Sequence, residues 1–268
     1  MSTSATSSEA RVDAVRPSLA AHSLMDLVGR TPMIRLQRSG DGKVWVKREG
    51  RNPSGSFHDR VARYQLDATM QPVVVSGWST HALAVLALAV STGREVHHVV
   101  CQGEPPRLRA LCSRFVARPE RVRNAQELDA AIRSKVRTGC IHLEPDDPDA
   151  SARAWRDVTM EVHSVRPVPP LHWVVSGCGV ESETLRAALE PDLPESDRVH
   201  ILPWDGGQER RLTGTAACRR QQSGHREGLL LSPLGAELID HAVNVALQSS
   251  GDVCVVLPED GHRYLGWW

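Results

Sequence analysis

Short apolar runs alternate with longer amphipathic stretches along most of this chain, and that alternation restricts its fold more than any other feature. The predicted strands are KVWVK (43–47), PVVVS (72–76), EVHHVVC (95–101), CIHLE (140–144), HWVVSG (172–177), RVHILPW (198–204), GLLLS (228–232) and DVCVVLP (252–258). Between them lie predicted helices such as THALAVLALAVSTG, AQELDAAIRSKV, DASARAWRDVTMEVHS and PLGAELIDHAVNVALQSS. Strands separated by helices of this length build open parallel α/β sheets. Several of the strands are β-branched without polar alternation, the pattern of a sheet covered on both faces. Ligands of such sheets sit beyond the carboxyl ends of the strands, where the chain turns into the next helix. Four segments therefore carry the functional expectation: NPSGSFHDR (52–60), SGWSTH (76–81), SGCGVESET (176–184) and LSPLGAE (231–237).

Composition narrows the function. The 268 residues are 41% apolar, enough for one large or two small cores. Basic and acidic residues balance at 32 each, so no strong field steers the chain onto nucleic acid or an anionic membrane. No apolar run approaches the roughly 18 residues of a membrane span. Residues 1–20 lack a signal peptide's charged start and apolar centre, and they read as a disordered leader. The six cysteines (101, 112, 140, 178, 218 and 254) form no C-x-x-C pair. They read as reduced, mostly buried thiols of a cytoplasmic protein. Only Lys43, Lys47 and Lys135 are lysines, so any chemistry needing a primary amine has three candidates.

Three stretches carry a family resemblance. LMDLVGRTPMIRL (24–36) is similar to I-G-N-T-P-L-x-R-L. VWVKREGRNPSGSFHDR (44–60) is similar to K-x-E-x-x-N-P-x-G-S-x-K-D-R, and VVLPEDGHRYLGWW (255–268) to V-V-L-P-x-S-G-E-R-Y-L. These are motifs of the cysteine synthase and cystathionine β-synthase family, pyridoxal-phosphate enzymes of the second fold type. The resemblance implies a two-domain, tryptophan-synthase-β-like architecture. Its larger domain would take residues 21–60 and 145–268, and its smaller one residues 61–144. Between RVHILPW and LLLSPLG the chain is a few dozen residues shorter than the family implies. The framework positions Gly29, Thr31, Pro32, Asn52, Pro53, Gly55, Asp59 and Arg60 match the motifs.

The positions that serve the cofactor in the family do not match. The lysine before Asp-Arg forms the family's Schiff base, and only a primary amine condenses with the cofactor aldehyde. Here that position is His58. SGWSTH stands where the family has S-G-N-T-G, so Trp78 replaces the asparagine that bonds the cofactor ring. An indole offers one donor and a large volume. Ser79, with the backbone of Ser76 and Gly77, is the expected carboxylate site, and Trp78 its stacking floor. The family's G-T-G-G-T phosphate cradle becomes Gly179, Val180, Glu181, Ser182 and Glu183. Carboxylates oppose a phosphate there, or complement a helix N-terminus instead. Asp260 takes the place of the serine facing the pyridine nitrogen, as a retuned partner or a turn residue before Gly261.

The expectation is a cysteine-synthase-like pseudoenzyme that holds no covalent pyridoxal phosphate. It would act as a regulatory or scaffolding partner in an amino-acid-derived biosynthetic pathway. The resemblance implies a homodimer or heterodimer, with the cleft open to a peptide tail or an amino-acid-like molecule. A second reading is a repurposed lyase or transferase using His58. Other constellations point less far. His97 and His98 are adjacent on a strand and point to opposite faces. His58 and His81 both begin elements at the same sheet edge and stand as a pair that meets in the cleft, without a metal assigned. The arginine-rich stretch 105–126 reads as a solvated face or an acidic-partner surface. Trp267 and Trp268 read as packing residues or aromatic anchors.

Overall fold

The computed structural model describes residues 21–102, 106–116, 118–165, 172–177, 184–187, 199–203 and 226–264. The leader, the cradle residues Gly179, Glu181, Ser182 and Glu183, the shortened region after RVHILPW, and Trp267 and Trp268 lie outside them.

Two sheets organise the chain. In order, the elements are β1 (Met33–Arg35), β2 (Val44–Arg48), α1 (His58–Asp67), β3 (Val73–Ser76), α2 (Thr80–Ser91), β4 (Val96–Cys101), α3 (Pro106–Cys112) and β5 (Glu120–Val122). They continue with α4 (Ala125–Arg137), β6 (Ile141–His142), α5 (Pro148–Val165), β7 (His172–Gly177), β8 (Val199–Pro203), α6 (Pro233–Gln248) and β9 (Val253–Leu257). The first sheet runs β1-β2-β9-β7-β8 and the second β5-β4-β3-β6. All pairs are parallel except β1 with β2. The parallel α/β architecture expected from the alternating pattern is therefore present, with one antiparallel edge strand added.

The core follows the β-branched runs. Val73, Val74, Val75, Val253, Val255 and Val256 are buried, the double-sided coverage their unbroken apolar sequence requires. α2 is apolar nearly all round, with buried residues from His81 through Ala89. A helix of that kind belongs inside a protein, and α2 packs against β3, α1 and α3. α1 lies between α2 and α5, and so joins the layers of the two sheets.

Three elements differ from expectation. GLLLS (228–232) forms no ladder: Leu229 and Leu231 are buried, and the Gly261 amide bonds to the Leu230 carbonyl at 3.0 Å. The segment is a buried extended lead into α6, ended by Ser232, whose hydroxyl caps Gly235. β1 and β5 were not expected as strands. Each has three residues and only partial burial, too short for a clear period. Cys112, Cys140 and Cys254 are buried and Cys101 is half-buried, while Cys178 and Cys218 lie outside the described residues.

Candidate functional site

The motif from Lys47 to Arg60 leaves β2, turns through residues 52–57 and enters α1. Its first half builds a buried ionic knot. Arg60 donates to Glu49 Oε2 from Nε at 2.7 Å, and to Glu161 Oε1 from Nη1 at 2.7 Å. Lys47 Nζ donates to Glu161 Oε2 at 2.5 Å and to the Thr31 carbonyl at 2.6 Å. Thr31 Oγ1 donates to Glu49 Oε1 at 2.6 Å. Asn52 Nδ2 donates to Glu49 Oε2 at 2.8 Å, and its Oδ1 accepts from the Gly29 amide at 2.8 Å. Two cations meet two carboxylates, so burial leaves no charge uncompensated. Burial alone raises the Glu161 carboxyl, but hydrogen bonds from Arg60 and Lys47 outweigh it and hold the group down at about 2. Gly29 has φ +89, and an added Cβ would sit 3.0 Å from Arg60 Nη1. Glycine is needed there for both reasons.

Asp59 steadies the turn. Its carboxylate accepts from the Ser54 amide at 2.8 Å, the Ser54 hydroxyl at 2.7 Å and the Ser56 amide at 3.2 Å. A carboxylate in the first turn of α1 also suits the helix dipole. The loop is pinned below by the Phe57 amide, which donates to the Pro258 carbonyl at 2.8 Å.

His58 opens α1 and reaches the N-terminus of α2. Its Nδ1 lies 3.0 Å from Thr80 Oγ1. Thr80 stands where the quoted S-G-N-T-G motif has its glycine, so two departures from the motifs touch each other. The His58 ring also meets His81 edge-on, with centroids 6.1 Å apart. The two rings meet, but His81 is buried and not open to the cleft in which they were expected to converge. His81 is fully buried, with Nε2 at 2.8 Å from Gln65 Oε1. Burial first, then the nearby His58 and His142, push its pKa down to about 3. It is therefore neutral at physiological pH. Among the described residues no group of three or more His, Cys, Asp or Glu side chains is arranged to hold a metal.

The SGWSTH loop departs from its expected role at two places. Trp78 is 6% exposed and turns into the core of the second sheet, edge-on to His98 at 4.8 Å. Its apolar area draws it inward, away from a stacking position in the cleft. His98 in turn is 2.7 Å from the Gly77 carbonyl through Nε2, while its neighbour His97 points outward to Glu95. The Gly77 amide donates to the Val99 carbonyl at 2.9 Å, so it is spent on the sheet and not offered to a ligand. Ser79 caps α2 by accepting from the Ala82 amide at 3.0 Å. Ser76 ends β3, half-buried. Asp260 is paired: Arg48 Nη2 donates to both of its oxygens at 2.9 Å. No Cβ fits at Gly50, where it would lie 2.3 Å from the Asp260 nitrogen.

The three lysines all have partners. Lys47 is in the knot, and Lys43 Nζ donates to the Ala246 and Ser249 carbonyls at the end of α6. Lys135 lies 3.4 Å from Glu120 on α4. Glu161, the carboxylate that closes the knot, was missed in the sequence. Its only sign there is a place on an amphipathic helix.

The description "Pyridoxal-phosphate dependent enzyme" matches residues 24–182, more than half of the chain. Cysteine synthase B of Salmonella typhimurium is 46% identical over 44 residues, covering 15% of this chain and 14% of that protein. N-(2-amino-2-carboxyethyl)-L-glutamate synthase of Ralstonia nicotianae is 44% identical over 50 residues, 18% of this chain and 15% of that one. The aligned stretch thus spans about one seventh of the length of these curated relatives. The crystal structure of O-ureido-L-serine synthase is similar over 92% of this chain and 94% of its own, with TM-score 0.72 and 19% identity. Cysteine synthase from Entamoeba histolytica is similar over 99% and 93%, with TM-score 0.71 and 13% identity. The chain belongs to the pyridoxal-phosphate dependent enzyme family.

Proposed function

We propose that this chain is a cysteine-synthase-like pseudoenzyme that forms no Schiff base with pyridoxal phosphate. It works as a regulatory or scaffolding partner in an amino-acid-derived pathway. One observation carries the reading. The residue at the Schiff-base position is His58, whose imidazole is engaged with Thr80 Oγ1 at 3.0 Å. No lysine stands ready to replace it, since Lys43 and Lys47 are tied to buried or carbonyl partners and Lys135 sits on a remote helix. The residues present do not fit a covalently held cofactor, and Arg48 neutralises Asp260, which would otherwise serve a ring nitrogen. A dimeric assembly, as in the resemblance, suits this role.

The test is a visible-absorbance titration of the purified chain with pyridoxal phosphate, then borohydride reduction and intact mass. The expected result is no reduced adduct. An adduct mapped to Lys47 or Lys135 overturns the reading.

The contact between His58 and Thr80 favours one second reading, a repurposed lyase or transferase with His58 as proton carrier for an amino-acid-like substrate. An imidazole within hydrogen-bond reach of a hydroxyl is the geometry a general base needs. His58→Ala separates the two. A scaffold keeps its effect in a reconstituted pathway, whereas an enzyme loses it.

A further inference from the structure

We infer that the face built by α3, the turn after it and the edge strand β5 docks an acidic protein segment with bulky apolar side chains. This inference rests on the scaffolding reading and gives that scaffold its class of partner.

The inner and outer faces of α3 differ sharply. Leu108, Cys112 and Val116 pack on the core of the second sheet, with Cys112 fully buried. Leu111 and Phe115 are also one turn apart, but they remain 40% and 38% exposed. Leu111, in the last turn of α3, and Phe115, in the turn after it, are thus two large apolar groups left exposed four residues apart.

Charge surrounds this pair. Arg109, Arg114, Arg118 and Arg121 are exposed. Among the described residues, two nearby acids are already committed elsewhere. Glu120 faces Lys135 at 3.4 Å, and Glu127 pairs with Arg123. The four arginines thus stand in local excess on a chain whose total charge is zero. β5 is the last strand of its sheet among the described residues.

These features choose among occupants. A second copy of the chain would bring arginines against arginines, and that opposition is repulsive. A nucleic acid would be held by phosphate contacts and gain little from Leu111 and Phe115. An acidic segment with apolar anchors satisfies both parts at once, because a desolvated apolar centre with a charged rim is how such interfaces divide affinity and steering.

The experiment uses the full chain and short synthetic peptides. One carries leucine and phenylalanine among glutamates, a second has lysines for the glutamates, and a third has serines for the two apolar residues. The first is expected to bind, more weakly at high salt, with either change costing about tenfold or more. Arg114→Glu combined with Arg118→Glu should reverse the preference toward the lysine peptide, which a merely structural role would not do. Phe115→Ser should weaken binding of the first peptide and leave the third unchanged. Absence of binding by the first peptide, indifference to the charge reversal, or tighter binding of a single-stranded RNA of equal length overturns the inference. Each sample is also checked for a reduced pyridoxal adduct. Failed docking without an adduct overturns only this surface, whereas an adduct overturns only the reading of the cleft.

Discussion

The two ends of the motif between Lys47 and Arg60 have had different fates. At the buried end, Lys47, Glu49, Asn52 and Arg60 keep every hydrogen bond their side chains need, with Thr31 and Glu161 closing the set. At the cleft end, His58 and Thr80 hold hands across a gap where the motifs have a lysine and a glycine. The difference separates two kinds of constraint. A buried charge network permits no partial change, because each loss strands another charge. A half-exposed side chain at a helix start can change identity, since water satisfies what the protein does not. The buried frame is therefore kept where the residue at the amine position has changed.

The largest effects should come from breaking the buried regions. Arg60→Ala removes the guanidinium that hydrogen-bonds both Glu49 and Glu161, and should cost about 3–5 kcal/mol in chemical denaturation, the usual range for breaking a buried pair. Trp78→Asn restores the motif residue but empties a core site beside His98. A loss of about 3–5 kcal/mol is expected there too, as for Trp truncation in other cores. An unchanged midpoint for Trp78→Asn would mean that the indole belongs to the cleft after all. The position that holds an asparagine in the motif is filled here by a side chain that packs the core.

How much of this was legible beforehand depends on the range of the interaction. The parallel sheets followed from runs such as PVVVS and DVCVVLP, because burial on both faces leaves a local trace. GLLLS leaves the same trace, yet it pairs with nothing: its carbonyl at Leu230 is satisfied by Gly261, which no periodicity reveals. The altered position His58 was visible at once. Its partner Thr80 was not, for a hydroxyl next to a cap residue has no pattern of its own. Trp78 was read as a cleft residue because sequence gives a side chain's size but not its direction, and Gly77 with φ +73 turns the chain just before it. The pairing of Asp260 with Arg48 joins residues 212 positions apart, beyond any local rule.

Acid should distinguish the two regions by the order in which they fail. His81 is held neutral in the fold, with its pKa at about 3 against an ordinary 6.5. The unfolded chain therefore binds the extra proton first. Stability from this site is complete above pH 6.5 and declines as pH falls from there toward about 3. Glu161 is depressed from 4.5 to about 2, so its contribution is complete above pH 4.5 and is lost between there and about pH 2. Melting temperature should drop in two stages, the first from the histidines. His81→Gln should shrink the upper stage, to which His98, His142 and His200 also contribute because burial lowers their pKa values, and leave the lower one. Glu161→Gln should do the reverse, on a chain already less stable because Lys47 and Arg60 lose their carboxylate.

The smallest effect belongs to the position that raised the functional question. His58→Ala removes a single hydrogen bond to Thr80 at a half-exposed site, and should cost only about 0.5–1.5 kcal/mol. His58→Lys sharpens the comparison further, because it returns the amine without altering Trp78, Asp260 or the knot. If the cleft has lost its complementarity to the cofactor as well as its amine, this variant forms no stable yellow complex and no borohydride adduct at residue 58. A saturable absorbance change with an adduct at that residue would show that one substitution separates the chain from its relatives' chemistry. The remaining differences would then be tuning of a site still shaped for the cofactor. The contrast between an intact frame and a remodelled cleft would shrink to one side chain.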